Sequence, residues 1–196
     1  MRAYVYYGNI PDRLGDRELY PPERTEQISR CRNEKAKREK YWAWVLLEKA
    51  LLDAFGFDIA NLKFTKLDNN KWICDKCSFS ISHTEGAVAV AVSTSEVGID
   101  IEKRRALRSG LEGKILTDRE IIPLQNMSLK EREEYLLIKW CEKEAIFKAH
   151  SGEALMPRTI ESSKHKTETF TVDISGAEYI IAVFSGDGTE LHHVNL

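Results

Sequence analysis

The chain has no marked excess of charge of either sign. Its 196 residues include 29 Lys plus Arg and 31 Asp plus Glu, which gives a formal net charge of -2. A balance this close to neutral provides neither a global basic field for nucleic acid nor a polybasic patch for an anionic membrane. We therefore expect no nucleic acid and no membrane among its partners, and any polyanionic ligand must be bound by a local group of residues.

Long apolar runs and abundant cysteine are also lacking. No stretch is apolar enough to span a bilayer, and residues 1–7 lack the features of a signal peptide, so we expect a cytoplasmic protein. The four cysteines are too few for a disulfide scaffold, and we expect them to be reduced. Cys74 and Cys77 have the spacing of half a zinc site, but no second Cys/His pair follows at finger spacing. We interpret them as a chance pair of thiols.

What the sequence does contain is a pair of carboxylates inside an otherwise apolar stretch at 97–103. Asp100 and Glu102 are two residues apart, so in a β-strand they share one face while the apolar residues between them face a core. Two anionic groups held this close repel each other. We therefore expect a cation between them.

A second charged group lies in a helical pattern further along the chain. Glu144 and Lys148 are four residues apart and share one helical face. If this helix packs on the acidic strand, a third carboxylate joins the first two, and an ammonium lies one turn beyond. Carboxylates without a cluster of His or Cys favour Mg²⁺ or Mn²⁺ over zinc. Spacing alone favours a simpler interpretation, in which Glu144 and Lys148 form an ordinary helical ion pair and Glu102 pairs with Arg104 or Arg105, because such pairs occur on most helices.

Hydrophobic periodicity and turn residues predict two long helices and a series of strands. The first long helix follows Asn33 as N-cap and ends before Gly56, and a capping box of Ser128 and Glu131 opens the second, which ends near His150. We predict strands at 2–7, 62–67, 79–83, 87–93, 97–103, 169–174, 179–184 and 191–194. These elements make an α+β or α/β fold.

Three of these strands follow one another with short breaks. A meander of 79–83, 87–93 and 97–103 would place His83, at the end of the first strand, near the acidic strand. His83 is therefore a candidate for contact with the same ligand.

A shift of 94 residues aligns the two long predicted helices and pairs, for example, Arg38 with Arg132. Each helix is followed by strands, which indicates two related halves, although Glu and Lys also recur in charged helices by chance. We predict an N-terminal half at 1–98 and a C-terminal half at 99–196 in one compact unit, with a single site where they meet. Because one chain carries both halves, we expect a monomer.

Several cationic residues could meet a phosphate. His83, with the Ser82 hydroxyl beside it, offers an imidazolium donor, and Lys71 offers an ammonium. Arg38 belongs to a basic run at 30–38 near the start of the first long helix. The structural alternatives are a strand-end histidine, a turn lysine and a solvated helix face.

Three stretches taken together resemble the signatures of 4′-phosphopantetheinyl transferases of the Sfp type, in the same order and spacing. They are Phe79–His83, Val97–Lys103 and Trp140–Lys148. The family's G-x-D-x-E motif is complete in the second stretch, and its W-x-x-K-E-[AS]-x-x-K motif is complete in the third. Two complete motifs in order are far more specific than either alone.

The resemblance implies roles for the charged residues. Asp100, Glu102 and Glu144 correspond to the family's Mg²⁺ ligands, and Lys148 corresponds to the lysine that contacts the phosphates of coenzyme A. We expect Glu144 to take the proton of the attacking serine, directly or through a metal-bound water, and Lys148 to stabilise or protonate the leaving group.

Further residues are implied on the coenzyme A side. Ser82 and His83 match the family's S-H pair, which binds the 3′-phosphate side of coenzyme A. Lys71 stands where the family has the lysine of G-K-P, although Asn and Trp flank it in this sequence. We add Arg38 to this cofactor-binding set. Glu120 corresponds in position to an acidic residue of many members and is a candidate fourth acidic contributor.

The implied reaction moves the 4′-phosphopantetheine group of coenzyme A onto a serine of an apo acyl or peptidyl carrier protein and releases 3′,5′-ADP. The implied fold is two similar α/β halves related by pseudo-twofold symmetry, with the site between them. Carrier proteins of this kind are acidic, so we expect Arg104–Arg108 and Ile121–Met127 to receive them, although the second segment could equally be a buried linker. The alternatives are a non-catalytic module that binds coenzyme A or a carrier, and a metal-dependent phosphohydrolase.

Overall fold

The computed structural model describes residues 2–68, 71–105, 110–150, 156–186 and 188–196. The helices within these ranges are α1 (Pro22–Ser29), α2 (Glu34–Phe55), α3 (Glu112–Ile115), α4 (Asp118–Ile121) and α5 (Leu129–His150). The strands are β1 (Ala3–Asn9), β2 (Phe64–Lys66), β3 (Trp72–Cys74), β4 (Ser78–Thr84), β5 (Ala87–Ser93), β6 (Val97–Lys103), β7 (Thr167–Ile174), β8 (Ala177–Ser185) and β9 (Thr189–His193). The fold is α+β, as the sequence predicts.

The two long helices begin where the sequence predicts. The Asn33 side chain accepts a hydrogen bond from the backbone N of Ala36 at 2.9 Å, and Gly56 ends α2 with a φ of 68°. Ser128 and Glu131 form the predicted capping box of α5, with the Ser128 backbone N donating to the Glu131 carboxylate at 2.7 Å. These contacts satisfy backbone groups that a helix end leaves without intrahelical partners.

The strands form three sheets. A four-stranded sheet has the order β4-β5-β1-β9, a three-stranded sheet has the order β6-β8-β7, and β2 pairs with β3. All pairings are antiparallel except that of β1 with β9. The sequence interpretation missed β3, which is only three residues long.

The two larger sheets pack on each other, and a long helix covers the outer face of each. One core cluster joins α2 to β1, β4 and β5, and a second lies between the sheets, where alanines of β5 contact apolar residues of β6, β7 and β8. A third joins α5 to β8. Burial of these apolar faces is the main force that holds helices and sheets together.

The predicted three-stranded meander is wrong for its third strand. β4 and β5 pair as a hairpin, but β6 leaves that sheet and pairs with β8 from the far end of the chain. This arrangement lets the apolar face of β6 pack against the small side chains of β5, burying both. β6 nevertheless lies beside β4, because the Ser80 hydroxyl accepts a hydrogen bond from the Ile99 backbone N at 3.1 Å.

The two halves of the chain have the same order of elements. In the first, β1 and α2 are followed by the hairpin β4-β5, whose second strand pairs with β1; in the second, β6 and α5 are followed by the hairpin β7-β8, whose second strand pairs with β6. β1 begins at residue 3 and β6 at residue 97, an offset of 94. The pseudo-twofold relation of the halves in space stays a prediction.

The division into 1–98 and 99–196 also stays a prediction. Its boundary falls inside β6, and β9 returns to pair with β1 of the first half. Part of the basic segment predicted to receive the carrier, residues 106–108, lies outside the described residues. None of the helices in the described ranges has the length and hydropathy that crossing a bilayer requires.

Gly98 allows α5 to approach β6 at backbone distance. A Cβ atom at this position would lie 1.9 Å from the Ala145 carbonyl oxygen and 2.7 Å from the Ala149 backbone N. Only glycine leaves room for the helix there. Helix α5 is thereby held directly over the face of β6 that carries Asp100 and Glu102.

Gly98→Ala is expected to lower the free energy of unfolding by about 3 kcal/mol or more, because neither backbone can move aside without disturbing its sheet or helix. Urea unfolding would measure this. Gly113→Ala in α3 is the matched control, since a Cβ there meets nothing within 4 Å. Equal stability of the two variants would show that α5 is not tightly packed on β6.

Candidate active site

Asp100 and Glu102 project from β6 toward α5. Asp100 is only 4% exposed, and Glu102 is partly buried. The pleat that turns Val97, Ile99 and Ile101 into the core between the sheets places both carboxylates on the opposite face. The strand therefore supplies a rigid base for two anionic groups.

Lys148 reaches Asp100 from the last turn of α5. Its Nζ lies 2.7 Å from Asp100 Oδ1 and 3.0 Å from Ser82 Oγ, and the Ser82 hydroxyl itself donates to Asp100 Oδ1 at 2.7 Å. The other oxygen, Asp100 Oδ2, is buried with no hydrogen-bond partner among the described residues. Because buried carboxylate oxygens are normally paired, Asp100 has unused capacity for a ligand.

Glu102 has weaker partners. Its carboxylate accepts from Trp140 Nε1 at 3.3 Å and from Thr84 Oγ1 at 3.4 Å, and Arg105 lies 3.7 Å away. Burial and the nearby charge of Asp100 raise the pKa of Glu102 above its ordinary value. Arg104, one of the two partners that the sequence offered for Glu102, pairs instead with Glu134 and Glu178.

Glu144 lies one turn before Lys148 on α5. Burial raises the pKa of the Glu144 carboxyl, Lys148 acts in the opposite direction, and the charges of Asp100 and Glu102 raise it further. The four charged side chains are thus close enough to interact, as packing of α5 on β6 requires. Within the described ranges, no three His, Cys, Asp or Glu side chains are arranged to hold a metal ion.

His83 lies at the end of β4, with Nδ1 3.4 Å from a carboxylate oxygen of Glu39. Burial lowers the pKa of His83, Glu39 opposes this, and the positive charges of Lys148, Lys40 and Arg24 lower it further. The histidine is therefore surrounded by cations from α1, α2 and α5. These cations repel one another, and a bound dianion would attract each of them and offset that repulsion.

Arg24 is a member of this basic group that the sequence interpretation missed. It is 8% exposed, donates to the Gln27 side chain at 2.7 Å and to the Lys40 carbonyl oxygen at 3.2 Å, and lies over the Trp44 ring. Its Nε is buried without a partner, and burial lowers the pKa of Arg24 to about 10. No acidic side chain of the described residues pairs with it. The i, i+4 spacing to the apolar Ile28 is the sequence signal that it faces inward.

Lys71 and Arg38 have different surroundings. Lys71 Nζ donates to the Lys148 carbonyl oxygen at 2.8 Å, so it contacts the end of α5, and burial lowers the pKa of Lys71. The Arg38 guanidinium donates to the Asp12 carbonyl oxygen and lies 3.6 Å from the Asp12 carboxylate. The structure therefore brings Lys71 to the candidate site and engages Arg38 with the loop before α1.

Glu120 does not join the acidic group, which corrects the expectation of a fourth acidic contributor. It pairs with Lys143 at 2.5 Å, and its carboxylate also accepts from the backbone N atoms of Thr117 and Ser162. Burial alone would raise the pKa of Glu120, but these hydrogen bonds outweigh it, and the pKa lies below its ordinary value. Lys143 is fully buried and also donates to two carbonyl oxygens. The motif lysine is thus a structural anchor of α5.

The four cysteines are free thiols. Burial and the neighbouring Cys74 raise the pKa of Cys77 to about 12, so this thiol is protonated at neutral pH.

A strand carrying buried carboxylates under a helix that carries a carboxylate and an ammonium is suited to a phosphorylated ligand, with the basic group around His83 beside it. The sequence profile of the 4′-phosphopantetheinyl transferase superfamily matches residues 96–194, which include β6 and α5. The chain belongs to this superfamily. Membership supports a transferase activity and implies coenzyme A and a carrier protein as substrates. A search of curated proteins found no match.

Glu120→Gln is expected to lower the free energy of unfolding by about 3–5 kcal/mol, because it leaves the Lys143 ammonium buried without an anion. Urea unfolding would measure the loss. Glu178→Gln, which breaks a surface pair with Arg104, is the control and should change stability by no more than about 0.5 kcal/mol. An unchanged stability of the Glu120 variant, with impaired transfer, would place Glu120 in the active site after all.

Glu144→Gln is expected to stabilise the fold at neutral pH. The pKa of Glu144 is raised on folding, so the native state binds more protons, and stability falls as pH rises from the ordinary glutamate pKa through the raised one. Removing the charge should raise Tm at pH 7 by about 2–4 °C and flatten its pH dependence above pH 4.5.

Differential scanning calorimetry from pH 4 to pH 8 would measure both effects. Glu131→Gln is the control, because the pKa of Glu131 is lowered by Ser128 and its neutralisation should bring no gain. A lower Tm for Glu144→Gln at pH 7 would mean that its attraction to Lys148 exceeds its burial cost.

Proposed function

We propose that this protein is a 4′-phosphopantetheinyl transferase of the Sfp type. It transfers the phosphopantetheine group of coenzyme A to a serine of an apo acyl or peptidyl carrier protein and releases 3′,5′-ADP. The observation that carries the proposal is the meeting of Asp100 and Glu102 on β6 with Glu144 and Lys148 on α5, with a basic group alongside. We propose that the protein acts as a cytoplasmic monomer.

The donor set fits Mg²⁺. Hard divalent cations prefer carboxylate oxygens, and the buried Asp100 Oδ2 has a free coordination position. Asp100, Glu102 and Glu144 would hold the ion, although as they stand they do not form a closed ligand set. When bound, Mg²⁺ supplies charge neutralisation for the pyrophosphate of coenzyme A.

The chain's own residues then perform the transfer. Lys148 binds the pyrophosphate oxygens and stabilises the negative charge that develops on the leaving 3′,5′-ADP. Glu144 accepts the proton of the carrier serine, directly or through water, and its raised pKa brings it closer to the pH at which a general base is most effective. Phosphoryl transfer requires little covalent chemistry from the protein, so positioning by β6 and α5 is the larger contribution.

The basic group holds the 3′-phosphate side of coenzyme A. His83, Ser82 and Lys71 were inferred from sequence, and the buried Arg24 adds a fixed guanidinium that lacks a carboxylate partner within the described chain. An arginine and a histidine together can present several donors to one phosphate. The Asp12 contacts of Arg38 make it a weaker member of the set.

The carrier protein docks beside Glu102. Arg105 is well exposed there, whereas Arg104 is committed to two glutamates. In the segment Ile121–Met127, Leu124 is buried and Ile122 is 62% exposed, so the segment is part linker and part apolar surface. An acidic helix with an apolar stripe fits a surface of this composition.

The decisive experiment incubates the protein with coenzyme A, Mg²⁺ and an apo carrier protein and records the intact mass of the carrier. We expect a gain of one phosphopantetheine group that EDTA abolishes. Asp100→Asn, Glu102→Gln and Glu144→Gln should each reduce the rate about 10²-fold or more. The exposed Glu26→Gln is the control and should retain the wild-type rate.

Other results would favour other functions. Tight coenzyme A binding without modification of either an acyl or a peptidyl carrier would support the non-catalytic module. Release of 3′,5′-ADP with an unmodified carrier would support a phosphohydrolase. The carboxylate variants need a check by circular dichroism, so that a lost fold is not read as lost chemistry.

His83→Ala and Arg24→Met are expected to weaken coenzyme A binding by about tenfold each, since each removes a charged donor to the 3′-phosphate. Calorimetric titration with dephospho-coenzyme A, which lacks this phosphate, gives the matched comparison. The variants and wild type should bind that analogue equally. Arg30→Met is the protein control, because the exposed Arg30 side chain pairs with Glu26 on the surface. Equal losses of affinity for both ligands would show that His83 and Arg24 do not bind the 3′-phosphate.

A further inference from the structure

The ammonium group of Lys148 contacts one carboxylate oxygen of Asp100, Oδ1. Nζ contacts Oδ1 at 2.7 Å and is held there by a second contact to the Ser82 hydroxyl at 3.0 Å. The Asp100 side chain is 6% exposed and that of Lys148 is 27% exposed, so the pair is shielded at the carboxylate end and open to solvent at the lysine end. A pair of this kind is strong, but a flexible side chain can leave it.

Among the described residues, this ion pair is the shortest contact between a cation and any of the three carboxylates of Asp100, Glu102 and Glu144. In the part of the chain that the structure describes, Glu102 accepts hydrogen bonds from two neutral donors and lies 3.7 Å from Arg105, and no hydrogen bond to the Glu144 carboxylate is formed. Burial raises the pKa of Glu102 and of Glu144, and the charges of the neighbouring carboxylates raise both further. A second cation would be favourable here, but Lys148 already contacts the most buried carboxylate.

We propose that Lys148 acts as the built-in counter-ion of Asp100 in the metal-free protein, so that a divalent cation and the phosphates of coenzyme A must bind together. The inference rests on the proposed function, which assigns Lys148 to the phosphates and Asp100 to the metal. A cation on Asp100 Oδ2 would lie next to the ammonium that contacts Oδ1 of the same carboxylate, and the two positive charges would repel each other. A cation that arrives alone has to bind against this repulsion or displace the ammonium from Asp100.

The phosphates of coenzyme A supply an anion that the displaced Lys148 ammonium can bind. Lys148 Nζ already contacts the hydroxyl of Ser82, which is next in sequence to His83 of the proposed phosphate-binding group. The ammonium can therefore move from Asp100 to a bound phosphate by a change of the Lys148 side-chain torsions. The backbone of Lys148 stays in place, since its carbonyl oxygen accepts from Lys71. Binding of the metal and of coenzyme A is then positively coupled, and by linkage each ligand raises the affinity for the other by the same factor.

Titration of Mn²⁺, followed by the paramagnetic resonance signal of the free ion, tests this directly. Wild-type protein should bind Mn²⁺ at least tenfold more tightly with saturating coenzyme A than without it. Lys148→Met keeps a long side chain but removes the charge, so it should bind Mn²⁺ alone about tenfold more tightly than wild type, and coenzyme A should add little. Lys148→Arg should resemble wild type, and so should Lys139→Met, whose lysine pairs with Glu142 on the same helix.

A measurement on the unmodified protein covers the case in which Lys148→Met does not fold. Amine acetylation of Lys148, read by peptide mass spectrometry, should rise several-fold when Mn²⁺ alone is added and fall again with Mn²⁺ and coenzyme A together. Labelling that is indifferent to Mn²⁺, or a Lys148→Met variant that binds Mn²⁺ no more tightly than wild type, would overturn the inference while transfer activity stands. Absence of Mn²⁺ binding to wild type with coenzyme A would overturn the metal assignment of the proposed function as well.

Discussion

The contact of α5 with β6 at Gly98 is the constraint on which the site depends. Backbone meets backbone there, because the Ala145 carbonyl oxygen occupies the place where any other residue would carry its Cβ. This close approach sets the height of α5 above the strand, and it decides that Lys148 can reach Asp100 at 2.7 Å. Glycine in the family motif is therefore a packing requirement rather than a ligand. The two carboxylates of the same motif would have no third partner without it.

Two lysines on α5, the buried Lys143 and the partly exposed Lys148, have different roles. Lys143 has an anion and two carbonyl oxygens, so its charge is satisfied by the protein and it holds α5 against the segment around α3 and α4. Lys148 shares one oxygen of Asp100 with a hydroxyl, and the other oxygen has no partner in the described chain. Satisfied charges rigidify a fold, whereas incompletely satisfied ones retain capacity for ligands. Helix α5 therefore carries one lysine that stabilises the fold and a second that retains capacity to bind a ligand.

The basic group around His83 extends this division to the N-terminal half. Burial lowers the pKa of His83, Glu39 opposes this, and the positive charges of Lys148, Lys40 and Arg24 lower it further. Natural proteins accept such unfavourable charge groupings mainly where a ligand relieves them. Ser82 connects this group to the acidic one, because it precedes His83 on β4 and its hydroxyl donates to Asp100 on β6.

Much of the fold was predictable from local signals. Asn33, Gly56 and the capping box at Ser128 determined the ends of the long helices, and period-2 alternation placed β6 with both carboxylates on one face, because these signals depend only on neighbouring residues. Tertiary structure alone decided the partners. β6 pairs with β8 across a long stretch of sequence, Glu120 is taken by a buried lysine, and Arg24 faces inward without an anion. Strand pairing and burial depend on contacts between distant segments, and no local pattern encodes those.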